Sequence, residues 1–417
     1  MINEQLKLNF NIKHQIYLFY LIPLFFLIGR ASIDIVLTYI GLNFFIHRIL
    51  FEKDYSVLKN KIFQLGLFFC CVHILISFFS TNFSISILKS LSYLRFILFF
   101  GATTYLIRSH YFKLNYFYYS VLVCLIFINV DIFVQYLFGH DLFGYEPVSI
   151  SVNSFRYSGS FGEEFVAGNY IQKFLLIFSI ITILRSKELY KKYISEFFII
   201  FSIMIVLITG DRMAFINVLY SIFFIFIFFS KFRYYLLVFG VIITTLIGSI
   251  IVFDKGISDR IASIPNQLLH KKNDKFDNPH LNLVKQSIEI FKNHKIFGTG
   301  IKTFREACNL KQNSIKLSND GSQINYCSNH PHNYYFEILS ETGLVGLLTF
   351  LFFIFFLLYF TGFKKVNFNN QKLSFLCLLV FLFPVATTGS FFTNINGCYF
   401  WFLISLININ LIKKKIF

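Results

Sequence analysis

Apolar runs of membrane-crossing length follow one another along nearly the whole chain, leaving one long polar interval, Asp254 to about Ser340. A helix that crosses hydrocarbon needs about 20 mostly apolar residues, and hydropathy marks about twelve candidates. They are Ile16–Ile28, Ile33–Leu50, Ile62–Phe79, Leu91–Ile107, Tyr116–Phe138, Val166–Leu184, Phe197–Thr209, Met213–Phe229, Tyr234–Phe253, Gly346–Phe360, Leu373–Ala386 and Cys398–Leu411. Only 14% of residues are charged, where a soluble domain carries roughly 25%. The expectation is an all-α polytopic membrane protein with one long extracytoplasmic loop. Its parts are residues 1–253 with nine spans, a loop over 254–340, and residues 341–417 with three more.

Charge sets the orientation. Alternate short connectors hold Lys53, Lys59 and Lys61; Arg108 and Lys113; Arg185, Lys187, Lys191 and Lys192; Lys231 and Arg233; and Lys364, Lys365 and Lys372, with Lys413, Lys414 and Lys415 in the tail. The remaining connectors are nearly bare, with Arg30, Arg156 and Arg212 almost alone. Basic residues stay on the cytoplasmic side, so both termini are expected there and the long loop outside. The net charge of +17 therefore reflects topology, and the basic, aromatic-interleaved soluble surface of a nucleic-acid binder is absent. Met1 to His14 is polar and no small-residue cleavage site follows the first run, so that run is expected to remain as an anchor.

Within the outer loop, Asn282 to Phe291 has the spacing of an amphipathic helix, with Leu283, Ile288 and Phe291 among polar residues. Gly298-Thr299-Gly300 follows as a turn. Cys70, Cys71, Cys124, Cys377 and Cys398 lie in or beside apolar runs, where a thiol serves as a small hydrophobe. Cys308 and Cys327 lie in the polar loop. If that loop faces an oxidising compartment they are natural disulfide partners, closing a loop of about twenty residues for roughly 3 kcal/mol.

The loop ends in His330-Pro331-His332-Asn333-Tyr334-Tyr335-Phe336-Glu337-Ile338-Leu339-Ser340-Glu341-Thr342-Gly343-Leu344-Val345-Gly346 and runs straight into an apolar stretch. Two histidines, an amide and two carboxylates are costly at a membrane boundary unless they are used. Three arginines stand outside the cytoplasmic set: Arg212 in Thr209-Gly210-Asp211-Arg212-Met213-Ala214, Arg156 before the sixth span, and Arg95 inside an apolar run. Each has a plain reading: Arg212 reaching headgroups or pairing with Asp211, Arg156 solvated in its loop, Arg95 paired with Asp131. Their alternative use is together. Guanidinium forks match phosphate oxygens, and a nearby imidazole can take a proton near neutral pH. That combination suits departure of a phosphate leaving group while a hydroxyl attacks, with a lipid-linked phosphate or pyrophosphate as the donor. A zinc helix places its histidines four apart with a glutamate between, a spacing that His330, His332, Glu337 and Glu341 do not have. No nucleophile elbow, P-loop or dinucleotide motif occurs.

The run from His332-Asn333 through Glu341, Gly343 and Gly346 resembles the signature of the bacterial O-antigen ligase and polymerase superfamily. Three upstream segments agree in order: Arg156–Gly162 with Asn169, then Gly210–Ala214, then Phe297–Arg305. The resemblance implies a membrane-embedded inverting glycosyltransferase of the inner membrane, with its site on the periplasmic face and without metal or cofactor. The donor would be a polyprenyl-pyrophosphate-linked glycan, and the acceptor a lipid A core (ligase) or a second lipid-linked glycan (polymerase). His332 corresponds to the base and Arg212 to the arginine that holds the donor pyrophosphate. Some members carry a second loop arginine where this chain has His280, so Arg260 or Arg305 is expected to supply that charge. Arg95, Arg156, His330, Asn333 and Glu341 complete the expected substrate-binding set. The family often carries a cysteine pair at the positions of Cys308 and Cys327. The form of the Arg212 motif leans toward ligase, and a glycolipid transporter is the alternative from another class.

Overall fold

The computed structural model describes residues 12–151, 154–185, 189–229, 240, 248, 279–309, 315–317, 323–325, 327–360, 368–384 and 389–412. Arg260 and the expected span Tyr234–Phe253 lie outside them. The helices are α1 (12–20), α2 (Ile22–Ile28), α3 (Arg30–Phe44, continued as a π-helix over Phe45–Phe51), α4 (Lys61–Ser77), α5 (Phe83–Arg108) and α6 (Leu114–Phe138). They continue with α7 (Ala167–Arg185), α8 (Leu189–Ile208), α9 (Arg212–Phe228), α10 (Pro279–Asn293), α11 (Phe304–Asn309), α12 (Tyr334–Leu358), α13 (Phe368–Phe381) and α14 (Asn394–Ser405). Two small antiparallel hairpins, β1 (Val148–Ser151) with β2 (Ser154–Arg156) and β3 (Ile315–Leu317) with β4 (Gln323–Asn325), depart from the all-α expectation.

Four helical stretches among the described residues are long and apolar enough to cross a bilayer: Arg30–Phe51, Phe83–Arg108, Leu114–Phe138 and Tyr334–Leu358. Five shorter apolar helices accompany them. Boundaries differ from hydropathy where polar groups set helix ends. The first run breaks at Leu21, because Pro23 begins a new helix without an N–H to give. Asn60, Asn82, Asp211 and Asn333 cap α4, α5, α9 and α12 through side-chain oxygens. The last of these starts α12 at Tyr334, well before Gly346.

Helices apolar on all sides have no single buried stripe, so close approach comes from small residues and from rings. A Cβ on Gly41 would stand 2.9 Å from Phe99 N, which fixes the crossing of α3 and α5. Trp401, Phe353 and Phe69 meet at the centre, while Phe68, Leu88, Val123, Leu348 and Phe355 point outward. Outward apolar side chains at this density fit lipid. A partly buried ion pair joins Arg95 to Asp34, with nitrogens 2.8 and 2.9 Å from Oδ1, and Arg95 also donates to Asn394. The anticipated Arg95–Asp131 pair does not form; α3 lies nearer. Asp131 instead accepts from Leu142 N (3.0 Å) and Ser160 N (2.5 Å) and so fastens the loop after β2.

The outer segment is tied into α12 by a break in that helix. Gly343 has φ 64° and ψ −162°, and the turn at Phe297–Gly300 enters the gap. Leu344 N and Val345 N donate to Lys295 O and Ile296 O, while Thr299 N and Gly300 N donate to Ser340 O and Glu341 O. A Cβ on Gly298 (φ 68°) would lie 2.5 Å from Thr342 N, so this approach requires glycine on both sides. The amphipathic helix α10 presents Leu283, Ser287 and Ile290 inward; Ile288 and Phe291, expected on that face, are only half-buried. Leu283 and Ile290 join Phe304 and Cys308 in a small second core. There Cys308 and Cys327 form a disulfide, Cα atoms 5.9 Å apart.

Candidate active site

A cavity of about 1320 Å³ opens among α7, α9, α10, the turn before α11, the segment before α12 and the 389–399 stretch. Six basic side chains line it (Arg30, Lys89, Arg156, Lys173, Arg212 and Lys302), and Asp211 is the one carboxylate among the described lining residues. Positive charge concentrated along the walls of one cleft favours an anionic ligand.

Arg212 is placed by Asp211, whose Oδ1 accepts from Met213 N and Ala214 N at 3.1 Å and starts α9. A cation in the first helical turn opposes the helix dipole, so this position adds nothing to helix stability. It does aim a guanidinium and the positive helix end into the same space. Gly168 lets α7 approach, since a Cβ there would lie 2.6 Å from Thr209 Oγ1 and 2.9 Å from Asp211 Cβ. Arg156 ends β2. Its guanidinium lies over the Phe165 ring at 4.8 Å, and its Nε is buried without a hydrogen-bond partner. Arg156 is within electrostatic reach of both Asp211 and Arg212.

His332 holds a left-handed backbone, φ 57°, which costs about 1–3 kcal/mol for a residue with a Cβ and persists only where surroundings enforce it. Asn333 enforces it. Its Oδ1 caps Tyr335 N (3.0 Å) and Phe336 N (3.3 Å), and its Nδ2 donates to Pro384 O (2.7 Å). The His332 ring packs against His330 (centroids 4.2 Å) and, edge-on, against His280 (5.5 Å). Burial lowers the His280 pKa from 6.5, so this imidazole is predominantly neutral at pH 7 and is a poor substitute for an arginine. Among the described residues no group of three or more His, Cys, Asp or Glu is placed to hold a metal ion.

The expected set therefore divides. His332, His330, His280, Arg212 and Arg156 line the cavity together. Arg95 lies in the α3–α5 ion pair and Arg305 is exposed, donating to Asn329 Oδ1 at 2.9 Å; neither lines it. Asn333 caps α12. Glu341 is fully buried and accepts from Lys302 N (2.8 Å) and Phe304 N (3.3 Å), holding the turn before α11. Arg260 is outside the described residues. Sequence reasoning passed over Lys302, Lys89, Lys173 and Arg30 as cavity cations. For Lys173 a signal existed, since a lysine within an apolar run faces a cavity or a partner; its ammonium lies over the Tyr399 ring at 4.7 Å.

Residues 197–351 match the family model described as O-antigen ligase. That segment contains Arg212, His280, Lys302, His330 and His332, while Arg156 precedes it. No curated protein matches the chain closely.

Proposed function

We propose, from the match of residues 197–351 to the O-antigen ligase family, that the chain transfers a glycan from a polyprenyl-pyrophosphate carrier to an acceptor hydroxyl at the outer face of the inner membrane. The observation that carries this reading is the shared cavity: His332 and Arg212, far apart in sequence, line one basic pocket with Arg156. The acceptor oxygen attacks the anomeric carbon, and its proton passes to an imidazole nitrogen of His332. The bond from that carbon to the pyrophosphate oxygen breaks, and the electron pair leaves with the polyprenyl pyrophosphate. Arg212 and Arg156 stabilise the charge that accumulates there. Attack opposite the leaving group inverts the anomeric centre. The protein groups supply base and cations, so the scheme needs no metal.

The acceptor chosen is the lipid A core, which makes the protein a ligase; polymerisation onto a second lipid-linked glycan uses the same chemistry. Purified protein given lipid-linked glycan and acceptor is expected to release polyprenyl pyrophosphate and form the transferred product. His332→Ala is expected to abolish release while insertion and thermal stability persist. Wild-type turnover in that variant removes the base assignment, and glycan movement without pyrophosphate release replaces the reading by transport. In cells lacking the protein, long glycans retained on carrier lipid support the ligase form, and capped single repeats support the polymerase form.

A further inference from the structure

Among the described residues only Lys53, Lys302 and His332 hold positive φ without being glycine, and two of these three line the cavity. Backbone strain of this kind concentrates where a side chain must be aimed. At His332 the reason is the base. At Lys302 (φ 67°) the turn is held by its own N–H on Glu341 Oε2. This backbone sends the side chain to the cavity wall, 19% exposed, with Nζ donating to Ser390 Oγ and 3.7 Å from Glu337 Oε1. Glu337 itself is fully buried behind that wall and accepts from Ser390 Oγ and from Phe391 N at 2.6 Å. One face of the ammonium is therefore held by the protein, and the other is turned to the space that His332 and Arg212 share.

The remaining cations are held elsewhere or solvated; Lys89 is exposed on α5. Arg30 is at the rim in an exposed pair with Glu164 (3.1 Å). Lys173 is held over Tyr399, close enough to Asp211 for the two charges to interact. His280 is predominantly neutral and Arg305 points away. We propose that Lys302 is a catalytic residue: its ammonium contacts the departing diphosphate. This rests on the transfer reading above. Glu337 and Ser390 hold the ammonium in place before the bond breaks, so no reorganisation is required when charge develops. Lysine suits the position because three rotatable donors can bond Ser390 and Glu337 while still reaching an oxygen of the diphosphate.

The alternative role is structural, Lys302 serving only to neutralise buried Glu337, and removing one member of such a pair is strongly destabilising. The test separates the two. Lys302→Met, Glu337→Gln and the double variant are purified beside wild type and His332→Ala. Folding is followed by size exclusion and thermal unfolding, transfer by kcat and kcat/KM, and diphosphate binding by inhibition with polyprenyl pyrophosphate. Loss of a preorganised donor to developing charge lowers kcat by roughly a hundredfold or more. That loss is expected in Lys302→Met and, undiminished, in the folded double variant, with weaker polyprenyl pyrophosphate inhibition in both. Lys302→Arg is expected to recover most of the activity. Recovery of wild-type kcat and inhibition in the double variant overturns the proposal, since the lysine would then serve Glu337 alone. Failure of the wild type to release polyprenyl pyrophosphate from lipid-linked glycan overturns the transfer reading instead, independently of residue 302.

Discussion

Replacing Gly343 by alanine tests the joint between the outer segment and α12. At φ 64° and ψ −162° the backbone is in a region reserved for glycine, and a side chain there costs about 1–3 kcal/mol. The added methyl would overlap Ile296 O and lie 2.6 Å from Gly298 N. Both are backbone atoms, so no rotamer change relieves the contact; the Phe297–Gly300 turn has to withdraw. Withdrawal breaks Leu344 N to Lys295 O, Val345 N to Ile296 O, Thr299 N to Ser340 O and Gly300 N to Glu341 O. At about 1 kcal/mol for each net hydrogen bond, with the strain added, the loss is on the order of 5–7 kcal/mol. A chain of 417 residues loses roughly 1 °C of Tm per kcal/mol, so Gly343→Ala is expected to melt about 6 °C lower in detergent. Fluorescence of the one tryptophan, fully buried Trp401, reports it. Leu348→Ala is the control: that side chain points outward from the same helix, and about 2 °C or less is expected. Equal melting of Gly343→Ala and wild type refutes the requirement for an open helix at this position.

Arg212→Lys replaces a fork by a point charge. Losing one charge-assisted hydrogen bond, about 1.5–3 kcal/mol, lowers kcat/KM roughly tenfold or more, whereas Arg305→Ala, outside the cavity, leaves the donor KM unchanged. A reversed ranking in steady-state kinetics shows the wrong arginine was assigned to the donor. Because burial lowers the His280 pKa from 6.5, the unfolded chain binds that proton more readily than the folded one. Stability from this group is complete above pH 6.5 and is lost as pH falls toward and through the lower folded value. Wild type is expected to lose more Tm than His280→Asn between neutral pH and pH 5.5, a buffer chosen about one unit below the free imidazole value; parallel curves discount it. The Cys308–Cys327 bridge spans 19 residues, and its removal by paired serines costs about 3 kcal/mol. An unchanged unfolding midpoint with and without reductant contradicts that.

Hydropathy and the His-Asn-to-Gly-Gly run made the membrane character, the likeness to the O-antigen ligase family and the central residues of the cavity legible, because transfer energies and histidine chemistry are local properties of the chain. What stayed hidden depends on tertiary neighbours. Arg95 has Asp34 within reach only because Gly41 lets α3 and α5 cross closely. Lys302 in the turn and Arg305 in α11 are three residues apart, and the direction of Lys302 is set by its left-handed backbone and by Glu341. No periodicity encodes that one faces Asn329 while the other faces the cavity. Helix ends were misjudged for a related reason: Asn333 caps α12 inside a stretch whose polarity had suggested loop.

The two carboxylates of the same run carry the most general consequence. Acidic groups beside histidines invite assignment as acid and base, yet Glu341 is committed to two backbone amides and Glu337 to Phe391 N, Ser390 and Lys302. A basic pocket that takes an anion gains from carboxylates only when their charge is turned away from it, since an exposed anion would weaken every cation present. Burying both behind the wall lets them fix the turn, the 389–393 stretch and Lys302 while the cavity keeps six basic side chains against one aspartate. The signature run is thus mostly a bracket. Asn333, Glu337, Glu341 and Gly343 join three segments of chain, and the product of that joining is one strained imidazole and one strained ammonium facing the same volume.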